Sequence, residues 1–200
     1  MLICFWFVLA ILSGSLPFSV WVGKLALGED IRRYGDGNPG MTNVLRAGGR
    51  AWGFVAMLLD GFKGAVPVGL AYWLYGLDGW GMALVAMAPL LGHAFSPFLK
   101  FRGGKAVTTT FGVWTGLTLF QGPTLLGVTL GLTVAVTSSQ GWHLFPAMTV
   151  LLFTLLGNHA PAWMLAAWAA NLLLFLWKHR RELARPPHLQ PWLRHLFHLS

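Results

Sequence analysis

Two glycine-rich polar stretches interrupt an otherwise apolar chain, and both carry residue types that bind anions. The first runs Tyr34-Gly35-Asp36-Gly37-Asn38-Pro39-Gly40-Met41-Thr42-Asn43-Val44-Leu45-Arg46-Ala47-Gly48-Gly49. Closely spaced glycines permit positive φ and let backbone N–H groups converge on one anion. Asn38, Thr42 and Asn43 add short polar side chains, and Arg46 adds a planar fork that fits phosphate oxygens. A tight loop with juxtamembrane positive charge would explain the glycines alone. The four polar residues crowded among them point to a binding loop. The second stretch runs from Gly92-His93 through Ser96 to Gly103-Gly104-Lys105, immediately before an apolar segment. A glycine pair and a lysine at a helix start bring N–H groups, the helix dipole and a cation to one place. The spacing G-x-x-x-x-G-K-[ST] is absent, which excludes a P-loop nucleotidase. Phe95, Phe98 and Phe101 suit interfacial anchoring as well as an acyl-chain groove.

Three further groups stand out. Asp60 and Lys63 share one face of an apolar segment at (i, i+3) spacing. Charges inside a membrane are functional candidates, although a self-neutralising structural pair explains these two equally well. His179 follows the last apolar segment and has the titration range of a general base. The remaining histidines are too scattered to suggest a metal, and the single Cys4 excludes a disulfide and any cysteine-based zinc site.

These groups must be positioned by a membrane bundle. Of 200 residues 56% are hydrophobic and only 10% charged, and the mean hydropathy is +0.61. A soluble domain carries about 25% charged residues. Seven apolar segments are predicted at Leu2–Val22, Ala51–Tyr75, Trp80–Leu91, Val107–Phe120, Thr124–Thr137, Trp142–Leu156 and Pro161–Trp177. The N-terminal segment has no preceding basic residue and no A-x-A site, so it reads as a retained span. Thirteen of the fourteen Lys and Arg residues fall in the first and third connections and the C-terminal stretch. The positive-inside rule then puts those parts in the cytoplasm and the N-terminus outside. The expected fold is an all-α integral membrane protein, a seven-transmembrane helical bundle forming a single domain over residues 1–200. From Lys178 onward a short basic tail is expected, with Leu189, Trp192, Leu193, Leu196 and Phe197 forming the apolar face of an interfacial helix. The net charge of +8 is read as membrane orientation and not as nucleic-acid binding.

The two loops, Asp60-x-x-Lys63-Gly64 and Trp177-Lys178-His179-Arg180 together resemble the bacterial membrane acyl-phosphate:glycerol-3-phosphate acyltransferases of the PlsY type. The resemblance extends in order from Ser13-Gly14-Ser15-Leu16-Pro17, through Asp30-Ile31-Arg32, to about Arg185. It implies a seven-span bundle in the bacterial inner membrane with its site on the cytoplasmic side. It also implies transfer of a fatty acyl group from acyl-phosphate to the 1-hydroxyl of glycerol 3-phosphate, without metal or cofactor. The substrates, the bilayer and the enzyme that makes acyl-phosphate are the implied partners. By the same resemblance Thr42 and Arg46 look like acceptor-phosphate ligands, with Ser138 or Ser139; Gly103, Gly104 and Lys105 look like the acyl-phosphate cradle, and His179 looks like the essential histidine of the terminal motif. Read from their own chemistry, Asn38, Asn43 and the position of Glu182 join the acceptor-phosphate set, Gly92, His93 and Ser96 join the cradle, Asp60 and Lys63 support, and Lys105 and the unexpected carboxylate Asp36 join His179 as catalytic candidates.

Three positions depart from the family pattern. Asp36 stands where Ser is usual, Glu182 where Asn is usual, and Ala106 where Gly follows the loop lysine. A carboxylate about 4 Å from a phosphate is repelled by about 4 kcal/mol at an effective dielectric of about 20, close to a thousandfold in affinity. The cost vanishes if Asp36 turns toward Arg32, Arg33 or Arg46, and if Glu182 pairs with Arg181 or Arg185. Otherwise the sequence leaves open a paralogue acylating another polyol or amino alcohol, or a silent lipid-binding or transport protein.

Overall fold

The computed structural model describes residues 1–139 and 141–196. Phe197, counted above in the apolar face of the tail, lies outside the described residues. Regular structure among the described residues is helical, apart from one isolated bridge between Thr137 and Leu189. Three helical stretches are long and apolar enough to cross a membrane: Leu2–Leu27 with 26 residues, Arg50–Leu74 with 25 and Gly79–Leu99 with 21. Gln121–Val136 and Leu144–Gly157 are apolar but shorter. Large side chains such as Phe5, Leu12, Phe54, Phe62, Trp73 and Phe153 are exposed along these helices. A membrane-facing surface accommodates such residues and a water-facing one does not. The chain divides into two compact units, Met1–Leu119 and Phe120–Ser200.

In the first unit the expected span at Leu2–Val22 is two helices, α1 (Leu2–Ser15) and α2 (Phe18–Leu27). Pro17 has no N–H and forces Leu16 into an extended conformation, with φ −63° and ψ 122°. The break leaves carbonyls without helical partners. Ser96 Oγ donates to Ser15 C=O at 2.6 Å, and Lys63 Nζ donates to Leu16 C=O at 2.9 Å. After a short 3-10 turn at Ile31–Arg33 come α3 (Met41–Arg46) and α4 (Arg50–Gly69), which continues as a π-helical turn over Leu70–Leu74. Helix α5 (Gly79–Ala94), a 3-10 turn at Pro97–Leu99 and α6 (Val107–Thr118) complete the unit.

Small residues bring these helices together. A Cβ on Gly112 of α6 would collide with the Gly61 carbonyl oxygen of α4. Membrane helices, which gain nothing from hiding apolar surface from lipid, associate through such close backbone contact. The loop entering α6 is strained. Lys100, Phe101 and Ala106 all have positive φ, and Ala106 caps α6 at φ 60°, ψ 13°. That is the left-handed region where a Cβ is unfavourable, so the glycine that the resemblance leads one to expect here would have a backbone reason.

The second unit holds α7 (Gln121–Val136), α8 (Leu144–Gly157), α9 (Ala162–Leu183) and the short α10 (Pro191–Leu196). One boundary differs from expectation. Helix α9 does not stop at Trp177 but runs 22 residues to Leu183, so Lys178 and His179 are helical and the tail starts later. Arg180, Arg181, Glu182 and Leu183 are good helix formers, and Pro186-Pro187 follow as a stop. The segment beyond folds back on the end of α7: Gln190 N–H donates to Val136 C=O at 2.9 Å and Trp192 Nε1 donates to Ala135 C=O at 3.0 Å.

Two outcomes are expected from this packing. Gly112→Ala lowers stability by about 1–3 kcal/mol, the usual cost of overpacking. Gly61→Ala is neutral or better, since its Cβ would meet Thr108 only at 3.9 Å. Thermal unfolding of both variants in detergent checks the pair, and equal losses would show that the α4–α6 approach is not limiting. Ala106→Gly is expected to raise stability by about 1 kcal/mol by relieving the left-handed cap. A lower unfolding midpoint in the same assay would refute that account.

Candidate active site

Within the first unit the two polar loops meet. Lys105 Nζ lies 2.6 Å from Asp36 Oδ2, joining positions 69 residues apart. The other Asp36 oxygen accepts from Asn38 N–H and Asn43 Nδ2, both at 3.1 Å. Buried Asn43 also donates to Asn38 C=O at 2.9 Å, and its Oδ1 accepts from Arg46 Nη1 at 2.9 Å. Lysine, aspartate, asparagine and arginine thus form one hydrogen-bonded chain across both loops. Gly35, at φ 55°, lies close against it: a Cβ there would strike Arg46 Nη1 and Asn43 Oδ1.

Asp36 does not turn to Arg32, Arg33 or Arg46, the partners the sequence offered. Arg32 is taken by Asp30 at 2.6 Å, and its guanidinium holds the Asp30 carboxyl well below the usual carboxylate range. For Asp36, partial burial raises the pKa, but Lys105, the Asn38 N–H and the Asn43 amide outweigh it and leave the carboxyl below its ordinary value. A depressed carboxyl pKa stabilises the fold at neutral pH, and the contribution is lost only as pH falls through that lowered value.

The second loop is gripped from below. His93 C=O accepts the Gly104 N–H at 3.1 Å. A Cβ on Gly104 would land on His93 Nε2, and one on Gly103 would strike the His93 carbonyl. Both glycines are therefore required by the packing of His93, whatever the loop binds. Lys63 reaches the same imidazole, with Nζ 2.7 Å from Nδ1 and 2.7 Å from Asp60 Oδ1. The second Asp60 oxygen accepts from Ser19 Oγ, a participant no sequence feature distinguished from other serines in the span. Gly92 and Ser96 serve the contact with α1: a Cβ on Gly92 would strike Ile11 C=O, and the Ser96 hydroxyl is on Ser15. Thr42 and Arg46 are exposed on α3.

In the second unit His179 is buried, 3% exposed, and its ring stacks on Phe175 at 4.4 Å. Its Nδ1 lies 3.5 Å from Glu182 Oε2. Ser138 and Ser139 bond to the returning segment: the Ser138 N–H donates to His188 C=O at 2.9 Å, and Ser139 Oγ accepts from His188 N–H at 2.7 Å. Both serines line a cavity of about 370 Å³ with Glu182, Arg181 and Arg185. Among the described residues no three His, Cys, Asp or Glu side chains gather as a metal site requires.

Residues 4–186 match the family model described as glycerol-3-phosphate acyltransferase. The chain is 36% identical to glycerol-3-phosphate acyltransferase 1 of Thermotoga maritima, over 92% of this chain and 98% of the relative. It is 40% identical to the glycerol-3-phosphate acyltransferase of Thermus thermophilus, over 89% and 88% of the two chains. The fold superposes on the crystal structure of PlsY, an integral membrane glycerol 3-phosphate acyltransferase in its glycerol 3-phosphate form. That match has a TM-score of 0.84, 28% identity and 98% coverage of both chains. With motifs in order, an all-helical apolar fold and near-complete coverage, the chain belongs to the glycerol-3-phosphate acyltransferase family.

Proposed function

We propose that this chain transfers a fatty acyl group from acyl-phosphate to the 1-hydroxyl of glycerol 3-phosphate, releasing lysophosphatidate and inorganic phosphate. Its relatives are named for glycerol 3-phosphate, and PlsY is also known in a lysophosphatidic acid form. The observation that carries the reading is the Lys105–Asp36–Asn43–Arg46 chain, which sets cations from both phosphate-type loops into one network. The family's acyl-phosphate donor, its cytoplasmic site in the bacterial inner membrane, the seven spans with an external N-terminus and the single catalytic domain form part of the same proposal. So does a supplying enzyme that makes acyl-phosphate. The confinement of thirteen of fourteen basic residues to alternate connections supports the orientation.

Acyl-phosphate is already activated, so the chain must position, neutralise and take one proton. Holding hydroxyl and carbonyl together supplies about 7–11 kcal/mol of the barrier. Lys105 and the Gly103-Gly104 backbone stabilise the developing oxyanion and the departing phosphate. Arg46, Thr42, Asn38 and Asn43 of the first unit are assigned to the acceptor phosphate; for the second unit, Ser138, Ser139 and the position of Glu182 are the phosphate contacts proposed. The proton goes to His179 or to the substrate's own phosphate, and Glu182 near Nδ1 stabilises the imidazolium in the first case.

Purified protein given acyl-phosphate and labelled glycerol 3-phosphate is expected to form lysophosphatidate, and failure with this acceptor alone would refute the assignment. Arg46→Ala should abolish acceptor use; near-normal kinetics would mean the acceptor site lies elsewhere. Asp36→Ser keeps a short hydroxyl acceptor for the loop and releases Lys105. The KM for the phosphate substrates should fall by up to about fivefold, the equivalent of about 1 kcal/mol for a partly exposed ion pair. A raised KM would show that the ion pair orders the loops more than it competes for the cation.

A further inference from the structure

The buried pair Asp60–Lys63 fixes more than its own charge. Their side chains are 3% and 1% exposed. An ammonium has three N–H bonds and no lone pair, and Lys63 Nζ meets three polar atoms: Leu16 C=O at 2.9 Å, Asp60 Oδ1 at 2.7 Å and His93 Nδ1 at 2.7 Å. His93 Nδ1 must therefore accept, which leaves the proton of the neutral ring on Nε2. That nitrogen is the one lying against Gly104.

We propose that the Asp60–Lys63 pair locks His93 as its Nε2–H tautomer, and that His93 is a positioning residue whose loop-facing edge sets the Gly103-Gly104-Lys105 cradle for acyl-phosphate. His93 holds the loop at two points, through its backbone carbonyl to Gly104 N–H and through its ring edge, which occupies the space a Gly104 Cβ would need. Ser19 completes the support by bonding the free oxygen of Asp60, so the carboxylate stays with Lys63 and does not turn to the ring. The assignment of a substrate to this cradle rests on the proposed function; the tautomer lock does not.

The two parts are tested separately. Nitrogen NMR of the detergent-solubilised full chain, labelled with ¹⁵N-histidine, reads the tautomer directly, with the His93 signals identified by their loss in His93→Gln or His93→Asn. A bare Nδ1 and protonated Nε2 at neutral pH are expected. The charge-free double variant Asp60→Asn, Lys63→Met should lose that preference. A proton on Nδ1 in the unmodified chain would overturn the lock, whatever reaction the protein performs. Steady-state kinetics then test positioning. Glutamine places an N–H near the loop-facing nitrogen, whereas asparagine keeps only a group facing Lys63. His93→Gln should retain most of kcat/KM for acyl-phosphate. His93→Asn should lose on the order of a hundredfold, the effect of misplacing a reacting group by about 1 Å, with KM for glycerol 3-phosphate unchanged. The opposite ranking, or equal losses, would show that His93 serves only as an acceptor for Lys63. Absence of acyl-phosphate turnover in the unmodified chain would count against the proposed function and leave the NMR result standing.

Discussion

A helix that breaks inside an apolar medium leaves carbonyls with no water to receive hydrogen bonds, and each orphaned group there costs several kcal/mol. The break at Pro17 creates this situation, and Lys63 resolves it by donating to Leu16. The same ammonium then needs a counter-charge, which fixes Asp60 one helical turn away, and a third acceptor, which fixes His93. One proline thus dictates a buried ion pair, and the ion pair dictates how the second loop is held. A lysine in hydrocarbon is tolerable only with its donors satisfied and its charge matched, and here both conditions are met by three groups, Leu16, Asp60 and His93, from three separate parts of the first unit.

The two polar loops follow a different logic. Their charges sit near the surface, where Coulomb attraction is modest, so geometry matters more than strength. Asn43 supplies that geometry: it is fully buried, and both ends of its amide are used, one toward Asp36 and Asn38, the other toward Arg46. An arginine held by an amide oxygen has lost part of its rotamer freedom before any ligand arrives, and that is the usual route by which binding loops gain affinity.

Much of this was legible in the chain. The glycine-rich loops, the apolar segments and the (i, i+3) pair are local patterns, and local patterns survive translation into structure. Helix α4 runs where the apolar stretch predicted it, and α6 begins just after the Gly-Gly-Lys sequence. Pairings between distant positions were not legible. Nothing in the sequence says that Asp36 will choose Lys105 over three arginines within ten residues, because the choice depends on how two loops approach in space. The roles of Gly92 and Ser96 were hidden for the same reason: they read as loop chemistry, yet their neighbour is a helix 81 residues earlier in the chain. The end of α9 was misjudged because hydropathy reports where a membrane stops, whereas a helix stops where its backbone can no longer continue.

The Asp36–Lys105 contact has a consequence for selectivity. A carboxylate tethered beside a cation acts as a resident competitor at high effective concentration, so a monovalent anion of ordinary basicity gains little by replacing it. A dianion, with more charge and more oxygens to offer, gains considerably more from the same exchange. If the junction receives phosphate as proposed, the Asp36–Lys105 contact favours a guest with more than one negative charge over chloride, acetate or free fatty acid, without any steric barrier.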